Sequence, residues 1–313
     1  MAQVAGDGRF VTTNDGRALC FAEWGDPDGF PVVFLHGTPG GRLNRHPDED
    51  VYRSLGARWI TYDRPGYGNS TRLAGRSVVD CVTDVAAIVD HLGVKQFAVT
   101  GSSGGAPHVL AVCARLGDRV VRARCNVGLA PYDAADLDFF AGMDPLNVVE
   151  YGWAAEGEAR LVPELQRQLR EMSSRMAVDT AQFMSEDWAL DPADRAVLAD
   201  PDIAAQNLAI SGELVRGGLW GWVDDSLAFV HPWGFEVGEV AVPVLATYGA
   251  NDVLVPATHG EWLGRHIPGA HVIVDDGAGH LSELDKIAPM IHWLVTGDLS
   301  RINDLPPPGI EGN

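Results

Sequence analysis

Cationic side chains are scarce in this 313-residue chain: 23 Lys and Arg stand against 43 Asp and Glu, for a net charge of −20. Nucleic acid and anionic membrane surfaces both draw on clustered bases, so neither is expected as a partner. Cysteine is scarce as well. Cys20, Cys81, Cys113 and Cys125 show no C-x-x-C spacing and each lies in an apolar segment, which speaks against a disulfide framework or metal site and for small buried hydrophobes. No run of 18 or more apolar residues occurs, and the first residues hold no apolar stretch of signal-peptide length. A membrane span is therefore not expected, and a reducing cytoplasm is the expected setting. What remains is 46% hydrophobic and 21% charged, the make-up of a soluble globular protein with room for an α/β domain and one sizeable insertion.

Turn chemistry and periodicity divide the chain. Asn14-Asp15-Gly16 between residues 9–13 and 17–24 predicts an opening hairpin. Short apolar runs at 31–35, 59–62, 97–100, 123–128, 244–248 and 271–274 read as strands buried on both faces. Between 78 and 92 the valines, Ile88 and Leu92 recur at helical spacing, and Gly93 stands where a helix stops. Such alternation predicts a mostly parallel sheet with helices on both faces, its ligand site at the carboxyl ends of the strands. The alternation lapses between 132 and 238, where Leu161, Leu165, Leu169, Met172 and Met176 step at three and four residues. The expected organisation is a core over 1–131 and 239–298, a helical cap over 132–238, and a loose tail over 299–313. Residues 132–236 hold twenty acids and six bases, so negative charge is expected to concentrate over the site and to disfavour anionic substrates.

Gly101-Ser102-Ser103-Gly104-Gly105 follows the run 97–100 and enters a helical stretch at Ala106. A G-x-S-x-G element at a strand-to-helix turn exposes its serine, because a Cβ at either outer position, here Gly101 or Gly105, would collide with its surroundings. Ser103 is thus a candidate nucleophile, and serine needs a base, an orienting carboxylate and donors for an oxyanion. His280 follows the run 271–274 through a flexible loop, Asp252 lies just past 244–248, and the order Ser, Asp, His suits this architecture. His36-Gly37-Thr38-Pro39-Gly40 ends the run 31–35. The backbone N–H groups of Thr38 and Gly104 are the candidate oxyanion donors.

These residues, together with Tyr62-Asp63-Arg64-Pro65-Gly66-Tyr67-Gly68-Asn69-Ser70, resemble the α/β-hydrolase superfamily over the whole chain except cap and tail. The resemblance implies an eight-stranded, mainly parallel sheet with the cap inserted after strand six. Within the superfamily it is most similar to the capped, esterase and proline-iminopeptidase-like branch, which shares an H-G-x-P-G loop. That peptidase group has a second glycine where Thr38 stands and a tryptophan where Gly104 stands. Related dehalogenases and epoxide hydrolases place aspartate where Ser103 stands.

The expected activity is hydrolysis of an ester or related acyl bond of a small, neutral, partly apolar molecule, with no cofactor and no metal. An aminopeptidase, a cofactor-free lyase or perhydrolase, and a non-catalytic receptor are the alternatives; the sequence leaves oligomeric state open. Plainer roles are assigned to other residues. His36, with Gly37, is expected to brace the oxyanion loop, Asp63 and Arg64 to fix a turn, and His108, His231, His259, His271 and His292 to be structural or superficial. Asp275 and Asp276 rival Asp252 by proximity to His280. Trp220, Trp222, Phe229, Trp233 and Phe235 are read as packing, or as lining a pocket.

Overall fold

The computed structural model describes residues 8–176 and 190–302. They form one eight-stranded sheet in the order β1-β2-β4-β3-β5-β6-β7-β8. The strands are β1 (Arg9–Thr12), β2 (Ala18–Gly25), β3 (Phe30–Leu35), β4 (Ala57–Tyr62), β5 (Phe97–Ser102), β6 (Val120–Asn126), β7 (Val244–Gly249) and β8 (His271–Asp275). β2 pairs antiparallel with β1 and β4, and all other pairings are parallel. The hairpin turns where Gly16 takes φ 86°, a left-handed conformation that costs glycine nothing. β6 starts earlier than its apolar run suggests, at Val120, and it ends at Asn126 because Val127 adopts φ 44° and leaves the extended region.

Helices cover both faces. On one side α2 (Cys81–His91), α3 (Ala106–Arg115) and α9 (Ala257–His266) share a core with residues such as Val33, Val99 and Ala246. On the other, α1 (Asp50–Arg53) and α10 (Ile287–Thr296) pack on Val32, Trp59 and Leu245. Neighbouring residues of one strand thus serve opposite cores, as the two-residue period of a strand requires. Ile302 is 2% exposed and belongs to this second core. Within the expected tail, residues 299–301 are exposed and Ile302 is buried, and 303–313 lie outside the described residues.

Between β6 and β7 lie α4 (Pro145–Glu156), α5 (Glu158–Met176), α6 (Pro192–Leu198), α7 (Pro201–Gly217) and α8 (Trp220–Phe229). Asp144, Asp191 and Asp200 each begin a helix by accepting backbone N–H bonds just ahead of a proline, which suits the N-terminal turn because its own N–H is missing. Leu161 and Leu165 are buried with Leu214, Trp222 and Tyr67 in a separate small core.

Candidate active site

β5 ends at Ser102, and the chain turns through Ser103, Gly104 and Gly105 into α3. Ser103 sits at φ 53°, a left-handed conformation costing a residue with a Cβ about 1–2 kcal/mol. The packing of the turn maintains it. A Cβ on Gly101 would lie 2.9 Å from the carbonyl carbon of Gly105 and the carbonyl oxygen of Leu35, and one on Gly105 would strike the carbonyls of Leu35 and His36. The end of β3 thus lies across the elbow, and the two outer glycines are a steric requirement. Fully buried His108 braces the turn through Nδ1 to the Gly104 carbonyl at 2.9 Å.

Asp252 and His280 leave the carboxyl ends of β7 and β8. His280 Nδ1 donates to Asp252 Oδ2 at 2.7 Å, with the two residues 7% and 4% exposed. Asp252 Oδ1 in turn accepts from the Leu254 and Val255 N–H groups at 2.8 and 2.9 Å, which fixes the carboxylate plane. Burial pushes the imidazole pKa down, but the Asp252 charge and hydrogen bond push it up, Asp194 adds to them, and the net effect is upward. The rivals face elsewhere. Asp275 pairs with Lys286 and accepts from the Gly277 N–H, and Asp276 is exposed.

The loop 36–40 is held from below and above. His36 Nδ1 contacts the Gly37 carbonyl at 2.7 Å, and its Nε2 accepts from the Arg64 N–H at 3.2 Å. Both ring nitrogens are occupied. Burial, with Arg64 nearby, pushes its pKa well down. Asp63 fixes its turn by accepting from the N–H groups of Arg42 and Asn69. Arg64 does more than the turn reading assigned to it. Its guanidinium donates to the carbonyls of His36 and Gly37 and to Thr38 Oγ1. Thr38 Oγ1 itself donates to Asp225 Oδ2 at 2.7 Å. Thr38 and Gly104 are adjacent, for a Cβ on Gly104 would run into Thr38 Oγ1 and Phe229 Cζ.

Asp225, on α8, escaped the sequence reading. Wholly buried, it accepts from Thr38, Arg64 and Tyr67 on Oδ2 and pairs with Arg76 at 2.6 Å on Oδ1. Asp225→Asn is expected to destabilise the fold by about 3–5 kcal/mol, since it leaves two guanidinium groups in the interior without their carboxylate. Urea unfolding checks this, and a loss below about 1 kcal/mol would contradict it. Nothing in the local pattern marks Asp225 apart from its neighbour Asp224, which pairs with Arg72.

Ser103, His280, Gly37 and Thr38 line one cavity of about 590 Å³ beneath α4, α5, α7 and α8. Its wall includes Leu146, Met172, Ile203, Leu214, Trp222 and Phe229. The aromatic cluster therefore divides: Trp222 and Phe229 face the cavity, Trp233 packs in the core with Phe235 beside it, and Trp220 lies outside under Arg72. The expected concentration of negative charge over the site is corrected. Among the described acids of residues 132–236, only Glu150 and Glu171 line the cavity; the others cap helices, pair with arginines or face solvent, except buried Asp194, which accepts from the backbone N–H groups of His280, Leu281 and Ser282. Arg45, Arg124 and Arg167 line it too, Arg167 pairing with Glu171 at 2.8 Å. Glu150, also missed, accepts from Trp222 Nε1 and Ser226 Oγ, and burial pushes its pKa up.

Among the described residues no cluster of His, Cys, Asp and Glu could hold a metal ion, and no helix is long and apolar enough to cross a membrane. The sequence matches a family model described as alpha/beta hydrolase fold over residues 31–287. A proline iminopeptidase of Xanthomonas citri is 36% identical over 111 residues, 33% of this chain and 34% of that protein. A non-heme haloperoxidase of Rhodococcus erythropolis is 32% identical over 123 residues, 39% of this chain and 44% of that one. The chain spans less than half the length of these curated relatives. The solved structure of an esterase from Exiguobacterium antarcticum is similar with a TM-score of 0.67 and 19% identity, covering 93% of this chain and 98% of the other. That likeness is one of fold.

Proposed function

The chain belongs to the alpha/beta hydrolase fold family, and within it we propose a serine hydrolase that cleaves an ester or related acyl bond through an acyl-enzyme at Ser103. The observation that carries this reading is the shared cavity. A serine held in a left-handed turn and an imidazole hydrogen-bonded to a buried carboxylate line the same space. With its proton on Nδ1, pointing at Asp252, His280 has its basic lone pair on Nε2. The imidazole takes the Ser103 proton as Oγ attacks the substrate carbonyl, and Asp252 stabilises the imidazolium that forms. The Thr38 and Gly104 N–H groups receive the oxyanion, each worth about 3 kcal/mol in such sites. His280 then protonates the leaving group, and water repeats the sequence to release the acid.

Helices α4–α8 act as a cap that shapes the cavity. Its apolar wall supports a neutral, partly apolar substrate, and Arg45, Arg124 and Arg167 offset the negative charge of Glu150 and Glu171 there. The four cysteines, all free and buried, fit a reducing cytoplasmic setting.

A second reading, an aminopeptidase, is favoured by Glu150 on the cavity wall, a carboxylate able to face a substrate ammonium. Against it stands the pairing of Thr38 with Gly104, since a side chain at 104 has no room beside this threonine. Labelling the protein with a fluorophosphonate, which reacts with an activated serine, is the direct test. One covalent adduct is expected, located on Ser103 by peptide mass analysis, with faster turnover of neutral esters than of aminoacyl naphthylamides. An adduct elsewhere, or none, would remove the nucleophile assignment, and faster amide turnover would favour the peptidase.

A further inference from the structure

We infer that Asp194, on α6 of the helical insertion, is a positioning residue for the imidazole of His280, so that the insertion helps to set the base as well as to cover the cavity. The inference rests on the serine-hydrolase reading. Asp194 is 1% exposed, and its carboxylate accepts from three consecutive backbone N–H groups: His280 at 2.8 Å on Oδ2, and Leu281 and Ser282 at 2.8 and 2.9 Å on Oδ1. Charge-assisted bonds of this length are about twice as strong as neutral ones, and three of them leave the loop one register. Ser282 Oγ accepts from the Gly279 N–H at 2.6 Å and closes the turn from the other side.

The close approach has left a mark in the sequence. A Cβ on Gly279 would lie 2.6 Å from Cγ and 2.7 Å from Oδ1 of Asp194, so the glycine before the histidine is required by a carboxylate 85 positions earlier in the chain. Two anchors therefore act on His280: Asp252 at the ring and Asp194 at the backbone. Asp252 and Asp194 are the charged groups acting on the imidazole. A ring that must deliver a proton in two directions tolerates little displacement, and about 1 Å of misplacement costs roughly 10²-fold in rate.

The test separates this role from a merely structural one. In Asp194→Asn, kcat for a neutral nitrophenyl ester is expected to fall about 10²-fold with KM within about twofold. The His280 pKa, followed by NMR of histidine-labelled protein and assigned with His280→Gln, is expected to move down. A folded variant with kcat within about threefold of wild type, or with an unmoved His280 pKa, overturns the inference. Should Asp194→Asn fail to fold, Asp194→Glu keeps the charge but displaces it by one methylene. Reduced kcat with a retained pKa then supports the role, and unchanged kcat overturns it. The titration needs no turnover, so failure of wild-type protein to label at Ser103 would strike the hydrolase reading while leaving Asp194 to be judged on the pKa alone.

Discussion

Ser103→Ala is expected to lower turnover of a nitrophenyl ester by roughly 10⁶-fold while leaving thermal unfolding almost unchanged. The size follows from how such groups act: removing the nucleophile disables base and carboxylate together, and only binding and oxyanion stabilisation remain. The small effect on stability follows from the backbone. Alanine keeps the Cβ that already tolerates φ 53° at this position, so neither the strain nor the contacts of Gly101 and Gly105 with β3 change. Turnover above about a hundredth of wild type would place the chemistry on another residue. A large drop in unfolding temperature would mean that the hydroxyl supports the elbow.

Asp252→Asn should cut kcat by about 10⁴-fold with the geometry intact. The Leu254 and Val255 N–H groups hold the amide oxygen at the Oδ1 position, so the NH2 faces His280 Nδ1 and favours the wrong tautomer, and the amide gives no charge to the imidazolium. The sign of the pH effect is also set. Asp252 raises the His280 pKa against burial, and the free base is the active form, so wild-type kcat/KM should rise with pH through a pKa above 6.5. Without the carboxylate, burial acts unopposed by it and the acid limb moves to lower pH. Near-normal kcat in Asp252→Asn, with Asp275→Asn or Asp276→Asn inactive, would hand the role to a residue beside Lys286 or in solvent.

The elbow was legible because its constraint is local. Strand, glycine, serine, glycine and helix follow one another within a dozen residues, and the collisions that demand Gly101 and Gly105 come from the neighbouring strand that any parallel sheet supplies. The places of Asp252 and His280 were legible for a related reason, since both directly follow apolar runs and a parallel sheet gathers such loops at one edge. Gly279 was visible only as a flexible residue, and its steric cause became visible with Asp194.

The local pattern by itself determined the strand and helix segments, their mostly parallel alternation and which residues stand just past the strand ends. Two-residue and 3.6-residue periods, turn glycines and strand ends are all encoded by neighbours in the chain. Tertiary structure alone decided which of the many acids in the helical segment act on the site. Asp225 and Thr38 are 187 residues apart, and Asp194 and His280 are 86 apart. Composition counts such carboxylates alike, whether they cap a helix, neutralise a buried guanidinium or grip the loop that carries His280. Their difference lies in burial and in the donors facing them, and those are fixed only when distant segments pack together.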